Sequence, residues 1–332
     1  MSTKPKLGWD VLDLDLEQEA QRICGRIREV TATVLRKRGL VVAISGGIDS
    51  STCLGLAVRA LGASRVQALI LPERDSSDDS AVRAKILAAH LGVNVIEQDI
   101  APALEAIGCY RWRDEAVRRA LPDYGPGWRM KIVITGGIEG RVNAFHISAE
   151  DPQGGKHEKR LGLQDYLQIV AATNFKQRLR KTLEYFHADR LNYAVVGTPN
   201  RLEYDQGFFV KNGDGSADIK PIAHLYKTQV YAMAKHLGLP ERVVSATPTT
   251  DTYSLPQGQD EFYFALPYRQ MDLALWALNH DVPAADLAAT LEIPVERAEA
   301  IYQDIQTKRR TTAYLHQPPV LMDAVPEVQI GH

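Results

Sequence analysis

The 332-residue sequence predicts an α/β protein built on a doubly wound, mainly parallel sheet with helices on both faces. Three observations carry that prediction. Short apolar runs alternate with segments of helical period, glycines close those helices just before the next run, and one strand-to-helix junction holds the Gly-rich stretch VVAISGGIDSS. Strands separated by helices pair in parallel, because a parallel neighbour needs a crossover long enough to hold a helix.

Taken in order, Leu16 to Arg38 carries Leu16, Ile23, Ile27, Val30, Val34 and Leu35 at helical spacing, with basic residues in its last turn, and predicts a first helix. Leu40 to Ile44 is a short apolar run, hence a buried strand. SGGIDSS then turns the chain, and Thr52 to Leu61 resumes helical spacing until Gly62 ends it. The unit repeats: Val66 to Leu71 is a second strand, Ser77 to Leu91 a second helix closed by Gly92, and Val93 to Ile96 a third strand. A helix near Leu167 to Phe186, a strand over Tyr193 to Val196 and a helix over Lys227 to Leu237 continue the alternation.

Between Gly108 and Asp165 the pattern breaks. LPDYGPGW is rich in turn formers, MKIVITGG and RVNAFHIS read as the strands of an inserted β-hairpin with TGGIEG as its turn, and DPQGGKHEKR reads as a polar connection. Helices centred on Trp276, Leu287 and Ala298 form a helical C-terminal part over about 270–312, followed by a weakly structured end. Residues 1–332 are thus expected to form a single domain with an insertion over about 108–165.

Bulk properties exclude several classes. The length and a 45% hydrophobic content allow a large core. Thirty-nine basic against forty-one acidic residues leave a formal charge of −2, which argues against a nucleic-acid partner. Cys24, Cys53 and Cys109 are too few and too scattered for a disulfide framework or a four-ligand zinc site, and the nine histidines show no HExxH spacing. The N-terminal stretch lacks the apolar core of a signal peptide and no later run has the length of a membrane span, so a cytoplasmic protein is expected.

The sharpest chemical signal is Val41 to Ser51, which joins a buried strand to two glycines, hydroxyls and a carboxylate at a strand-to-helix turn. Backbone N–H groups bared by Gly46 and Gly47, with those of the following helix N-terminus, can surround a phosphate, and Ser45, Ser50 and Ser51 add hydroxyls. A plain turn capped by Asp49 would not need serine on both sides of the glycines. The stretch lacks the Gly-Lys-Ser/Thr ending of a Walker loop and the GxGxxG of a dinucleotide fingerprint.

Instead it resembles the SGGxDS pyrophosphate loop of the adenine nucleotide alpha-hydrolase superfamily, the N-type ATP pyrophosphatases, which cleave ATP between its α and β phosphates. A second block, VVGTPNRLEYDQGFFVKNGDGSADIKP over Val195 to Pro221, followed by IAHLYKTQVYAMAKHLGLP, is closely similar to the ammonia-dependent NAD synthetases. The likeness runs, with breaks, from Leu40 to about Arg310.

That resemblance implies a ligase that amidates nicotinic acid adenine dinucleotide (deamido-NAD) with ammonia, through an acyl-adenylate, releasing AMP and pyrophosphate. By position, Ser45, Gly46, Gly47, Ile48, Asp49, Ser50, Thr198, Lys227 and Thr249 would contact ATP, with Asp49 and Lys227 serving catalysis. Asp49 and Glu203 would ligate Mg²⁺. Arg178, Lys211, Asp218 and the pair Thr307 and Lys308 would contact deamido-NAD. The Gly-rich segment Gln206 to Ser216 would cover the adenylate. The family is homodimeric, and without a glutaminase domain the ammonia would be taken free or from a separate glutaminase.

Taken singly, these residues have plainer readings: Glu203 as a surface carboxylate, Lys227 as a charge at a helix start, Arg178 as part of an exposed helical face. Cys53 reads as a buried helix cysteine. Two departures, the long insertion and Thr307 where the family carries histidine, leave open a related AMP-forming ligase for another carboxylate. A non-catalytic nucleotide-binding paralogue is the alternative from another class.

Overall fold

The computed structural model describes residues 7–135, 144–246, 253–255, 263 and 266–328. Its centre is a four-stranded parallel sheet of β1 (Leu40–Ala43), β2 (Val66–Ile70), β3 (Asn94–Glu97) and β7 (Ala194–Val195), in the order β3-β2-β1-β7. The buried strands are nearly continuous apolar runs, as expected where helices cover both faces. Leu40 and Val42 pack with α1 (Leu16–Glu29) and α2 (Ile48–Leu61), while the intervening Val41 points to the opposite layer, shared by Leu69, Leu104 and Tyr110. That second layer comes from α4 (Ala101–Ile107), α5 (Cys109–Ala120) and the 29-residue α6 (Leu163–Leu191). The first layer also holds α3 (Asp78–Leu91).

This topology sets the position of the site. From β1 the chain steps outward through β2 to β3, then returns by α6 to place β7 on the other side of β1. The carboxyl ends of β1 and β7 therefore flank a switch point, where an open α/β sheet leaves a crevice for ligands.

Several expectations are corrected. The helix after the Gly-rich turn starts at Ile48, not Thr52, so Ile48, Asp49 and Ser50 form its first turn. The first helix is α-helical only to Glu29 and continues as a π turn over Val30–Val34. The inserted strands pair antiparallel, β4 (Arg129–Thr135) with β5 (Ala144–Glu150), but the expected turn over TGGIEG lies mostly outside the described residues.

The polar stretch after β5 contributes a third strand, β6 (Lys156–Arg160). Its KHEKR sequence lacks apolar alternation. It is an edge strand set by the Asp151 turn, in which Gln153 and Gly155 N–H groups donate to Asp151 Oδ1 at 2.9 and 2.8 Å. Helix α5 was also missed, because CYRWRDEAVRR is so basic. Its buried Tyr110, Arg113, Ala116 and Val117 nevertheless fall on one helical face.

After β7 come α7 (Arg201–Gln206), α8 (Lys227–His236) and α9 (Glu241–Val244). Helices α10 (Tyr268–Asn279), α11 (Ala284–Leu291) and α12 (Val295–His316) then build a second apolar cluster around Met271, Leu287 and Ile301. Among the described residues no helix is long and apolar enough to cross a membrane.

Candidate active site

The turn after β1 is shaped by its glycines. Gly46 has φ +74°, and a Cβ there would lie 2.4 Å from the Ser80 carbonyl oxygen, so only glycine fits between β1 and α3. Arg83 Nε, also from α3, donates to the Gly46 carbonyl at 3.1 Å. Gly47 caps α2, whose free N–H groups carry the positive end of the helix dipole. Ser45, Gly46, Gly47, Ile48, Asp49 and Ser50 all line one cavity of about 530 Å³. Ser51 does not: its hydroxyl is buried and donates to the Gly47 carbonyl at 2.7 Å, so its expected part in holding phosphate is corrected to a structural one.

Beneath the loop lies a charged centre drawn from three distant segments. Lys227, only 1% exposed at the start of α8, places Nζ 2.5 Å from Asp49 Oδ2. Asn200 Nδ2 donates to the other Asp49 oxygen at 2.9 Å. Asn200 is also the N-cap of α7, accepting from the Leu202 and Glu203 N–H groups, while Glu203 accepts from Asn200 N–H at 3.0 Å. One capping box thus fixes Glu203 beside Asp49. Burial and the Asp49 charge push the Glu203 carboxyl up to about 8. Burial alone would depress the Lys227 ammonium, but the Asp49 and Glu203 charges outweigh it and raise its pKa.

Lys227 is in turn anchored from α10. Asp272, fully buried, accepts from the Lys227 and Thr228 N–H groups at 3.1 and 2.8 Å and from the Thr228 hydroxyl at 2.7 Å. Thr198 and Glu203 line the same cavity, whereas Thr249 lies outside the described residues.

The cavity also holds residues that sequence reasoning did not select. Lys181, Glu184 and Asp214 line it, with Lys181 Nζ 2.6 Å from Glu184 Oε2, and burial raises the pKa of both acids. Asp214 was legible as part of the GDG motif; Lys181 and Glu184 sit on a helix face whose inward direction only the fold reveals.

Arg178, Lys211, Asp218, Thr307 and Lys308 do not line this cavity. Arg178 is exposed on α6 and donates to the Lys211 carbonyl at 3.2 Å, while Lys211 Nζ donates to the Tyr314 and Gln317 carbonyls at the end of α12. Asp218 accepts from Val195 N–H at 2.7 Å. Thr307 is exposed on α12, and Lys308 Nζ is held by Asp304 at 2.6 Å and the Tyr263 carbonyl at 2.5 Å. The structure therefore brings Arg178 and Lys211 together but leaves this group apart from the phosphate loop.

The buried Glu203 and the partly exposed Asp49 carboxylates suit Mg²⁺, a hard cation that takes one or two carboxylates and completes its shell with phosphate oxygens and water. Among the described residues no cluster of three or more His, Cys, Asp or Glu forms an all-protein metal cage.

A glycine turn at a sheet switch point, opening over paired carboxylates and a buried lysine, defines a nucleotide-binding α/β enzyme. The NAD synthase family profile matches residues 19–137 and 142–313, and the chain belongs to that family of ligases. Among its relatives, the NH(3)-dependent NAD(+) synthetase of Rhizobium meliloti (strain 1021) is 52% identical over 96% of each chain. The protein so named in Thermotoga maritima is 39% identical, covering 82% of this chain and 90% of its own. Among solved structures, the NMN synthetase from Francisella tularensis superposes with TM-score 0.63 at 19% identity, over 94% of this chain and all of that one. The NH3-dependent NAD synthetase from Campylobacter jejuni gives 0.61 at 21%, over 93% and 100%. At those identities the likeness is one of fold.

Proposed function

We propose that this chain is an ammonia-dependent NAD synthetase, which uses ATP to convert the nicotinate carboxylate of deamido-NAD to its amide. The observation that carries this reading is the convergence, in one cavity, of the Ser45 to Ser50 loop with Asp49, Lys227 and Glu203. A substrate carboxylate oxygen attacks the α phosphorus, and the bond to pyrophosphate breaks. Ammonia then adds to the acyl carbon and AMP leaves.

Loop N–H groups and Ser45 and Ser50 bind the phosphates, and Thr198 and Thr249 add contacts to ATP. Lys227, held in place by Asp49 and Asp272, supplies fixed positive charge where negative charge develops. Mg²⁺ on Asp49 and Glu203 would supply further charge against the departing pyrophosphate. In the same cavity, Glu184 and Asp214, whose pKa burial raises, are the carboxyls suited to take the proton that ammonium must shed before it attacks. The segment Gln206 to Ser216, which contributes Phe208, Phe209 and Val210 to the cavity wall, is the cover over the adenylate.

The group around Arg178, Lys211, Asp218, Thr307 and Lys308 is assigned to deamido-NAD in a homodimer, where a second copy completes the dinucleotide site. Leu163 and Leu167, one turn apart on α6, are 68% and 53% exposed and offer an apolar surface for that contact. Residues 1–332 act as one unit with 108–165 as an elaboration, in the cytoplasm, with ammonia free or delivered by a separate glutaminase.

The test is direct. Purified protein with ATP, Mg²⁺, ammonium and deamido-NAD should form NAD and AMP in equal amounts, and Asp49→Ala should form neither. If AMP appears only with another carboxylate, such as the corresponding mononucleotide, the adenylating chemistry stands and the substrate assignment fails.

A further inference from the structure

Residues 72–77, between β2 and α3, form a partition without regular secondary structure. Pro72, Ser76 and Ser77 line the nucleotide cavity on one side, while Arg74, Asp75 and Ser76 line a second cavity of about 1000 Å³ on the other. With open space on both sides, apolar packing cannot hold this segment. Side-chain charges from behind it do so instead.

Glu73 and Asp75 project from the segment to meet Lys176 and Arg113, and these four charged side chains are each at most 6% exposed. Lys176 Nζ, from α6, lies 3.0 Å from Glu73 Oε1 and 2.6 Å from Asp75 Oδ2. Arg113 Nη1, from α5 of the inserted region, lies 2.5 Å from the same Asp75 oxygen. The Tyr110 hydroxyl donates to Glu73 Oε2 at 2.8 Å and accepts from Arg74 N–H at 3.2 Å, and Arg74 lies over the Tyr110 ring. On the cavity side, Arg180 Nε donates to the Leu71 carbonyl at 3.1 Å. Glu73 and Lys176 do not line the nucleotide cavity and are not placed to touch a nucleotide.

We infer that Arg113 and Lys176 are positioning residues for ATP: through Asp75 and Glu73 they set the 72–77 wall before nucleotide arrives, and this is the function of α5 in the inserted region. The inference rests on reading this cavity as the ATP site. Burial pushes the Asp75 carboxyl up, yet the charges of Lys176 and Arg113 outweigh it and hold Asp75 below its usual range, so Asp75 is ionised at neutral pH. A wall ordered in advance spares ATP the entropic cost of ordering it on binding, and that saving appears as affinity.

The experiment compares wild type with Arg113→Met and Tyr110→Phe. The second removes only one hydroxyl and keeps the ring. Binding of a non-hydrolysable ATP analogue is measured by calorimetry, and amide hydrogen exchange is followed over 72–77. Arg113→Met should weaken the analogue about 10-fold and Tyr110→Phe about 2- to 3-fold. KM for ATP should rise in step, with kcat and the KM for deamido-NAD nearly unchanged. Exchange at 72–77 should be slow in wild type without nucleotide, and fast in the variants until the analogue is added.

Fast exchange in nucleotide-free wild type overturns the inference, and so does a folded Arg113→Met protein with wild-type affinity and exchange. Should Arg113→Met fail to fold, Tyr110→Phe decides by the same two readings. Analogue binding needs no turnover, so failure to make NAD would sink the substrate assignment alone.

Discussion

Glu203→Gln isolates what the buried Glu203 carboxyl does beside Asp49. The amide keeps the oxygen that accepts from Asn200 N–H, so the α7 capping box survives while the charge is removed. In the wild type the Glu203 carboxyl is raised from 4.5 to about 8, first by burial and then by Asp49. For an acid with a raised folded pKa, the folded state holds the proton more tightly than the unfolded state between those two values. Stability therefore falls as pH rises through that window. At 1.36 kcal/mol per unit the full loss is on the order of 5 kcal/mol, of which about 3 kcal/mol falls between pH 5.5 and 8.

The assay is urea unfolding in EDTA at pH 5.5, 7 and 8.5. The wild type should lose about 3 kcal/mol relative to Glu203→Gln across that range, the variant being the more stable at pH 8.5. Mg²⁺ with an ATP analogue should reverse the order, and since the ion must displace one proton, its wild-type affinity should weaken about tenfold for each pH unit below 8. Parallel stability curves for the two proteins, or a Mg²⁺ affinity that is flat between pH 6 and 8, would refute the reasoning.

Three further outcomes are expected. Lys227→Met leaves Asp49 and Glu203 facing each other without their buried cation, so kcat should fall about 100- to 1000-fold and folding stability by about 3–5 kcal/mol, read by turnover and by denaturant titration. Gly46→Ala forces a Cβ to 2.4 Å from the Ser80 carbonyl at positive φ; an activity assay should show KM for ATP raised at least about 10-fold, with about 1–3 kcal/mol of strain in urea melts. The Cys53 thiol is fully buried and pushed up by burial, so alkylation with iodoacetamide at pH 8 should leave activity intact; rapid inactivation accompanied by Cys53 labelling would mean the core around α2 opens.

The parts of this molecule that read clearly from the sequence are those fixed by neighbours along the chain. β1, β2 and the phosphate turn are local objects: an apolar run buried on both faces, then a glycine held at positive φ. Glu203 was readable only through the family resemblance, by its place after Gly197 and Thr198; taken singly it read as a surface carboxylate, and the Asn200 capping box that buries it came from the structure. The start of α2 was placed four residues late because serine and aspartate favour turns as much as helix ends. Asp272 and Lys181 carried no local signal; their direction is set by α10 and α6 packing onto distant segments. Helix α5 was hidden by its arginines, one of which, Arg113, is buried against the carboxylates of Asp75 and Asp114.

The ion pair between Asp49 and Lys227 joins positions 178 residues apart. During synthesis, at about 5–20 residues per second, the phosphate turn emerges many seconds before the lysine does. A nascent chain in that interval can fold β1 and α2 yet lacks Glu203, Lys227 and the Asp272 that anchors the lysine. Cleavage of ATP is thus withheld until most of the polypeptide has left the ribosome, and a fragment ending before α7 would have a nucleotide cradle with neither Glu203 nor Lys227 to turn over what it holds.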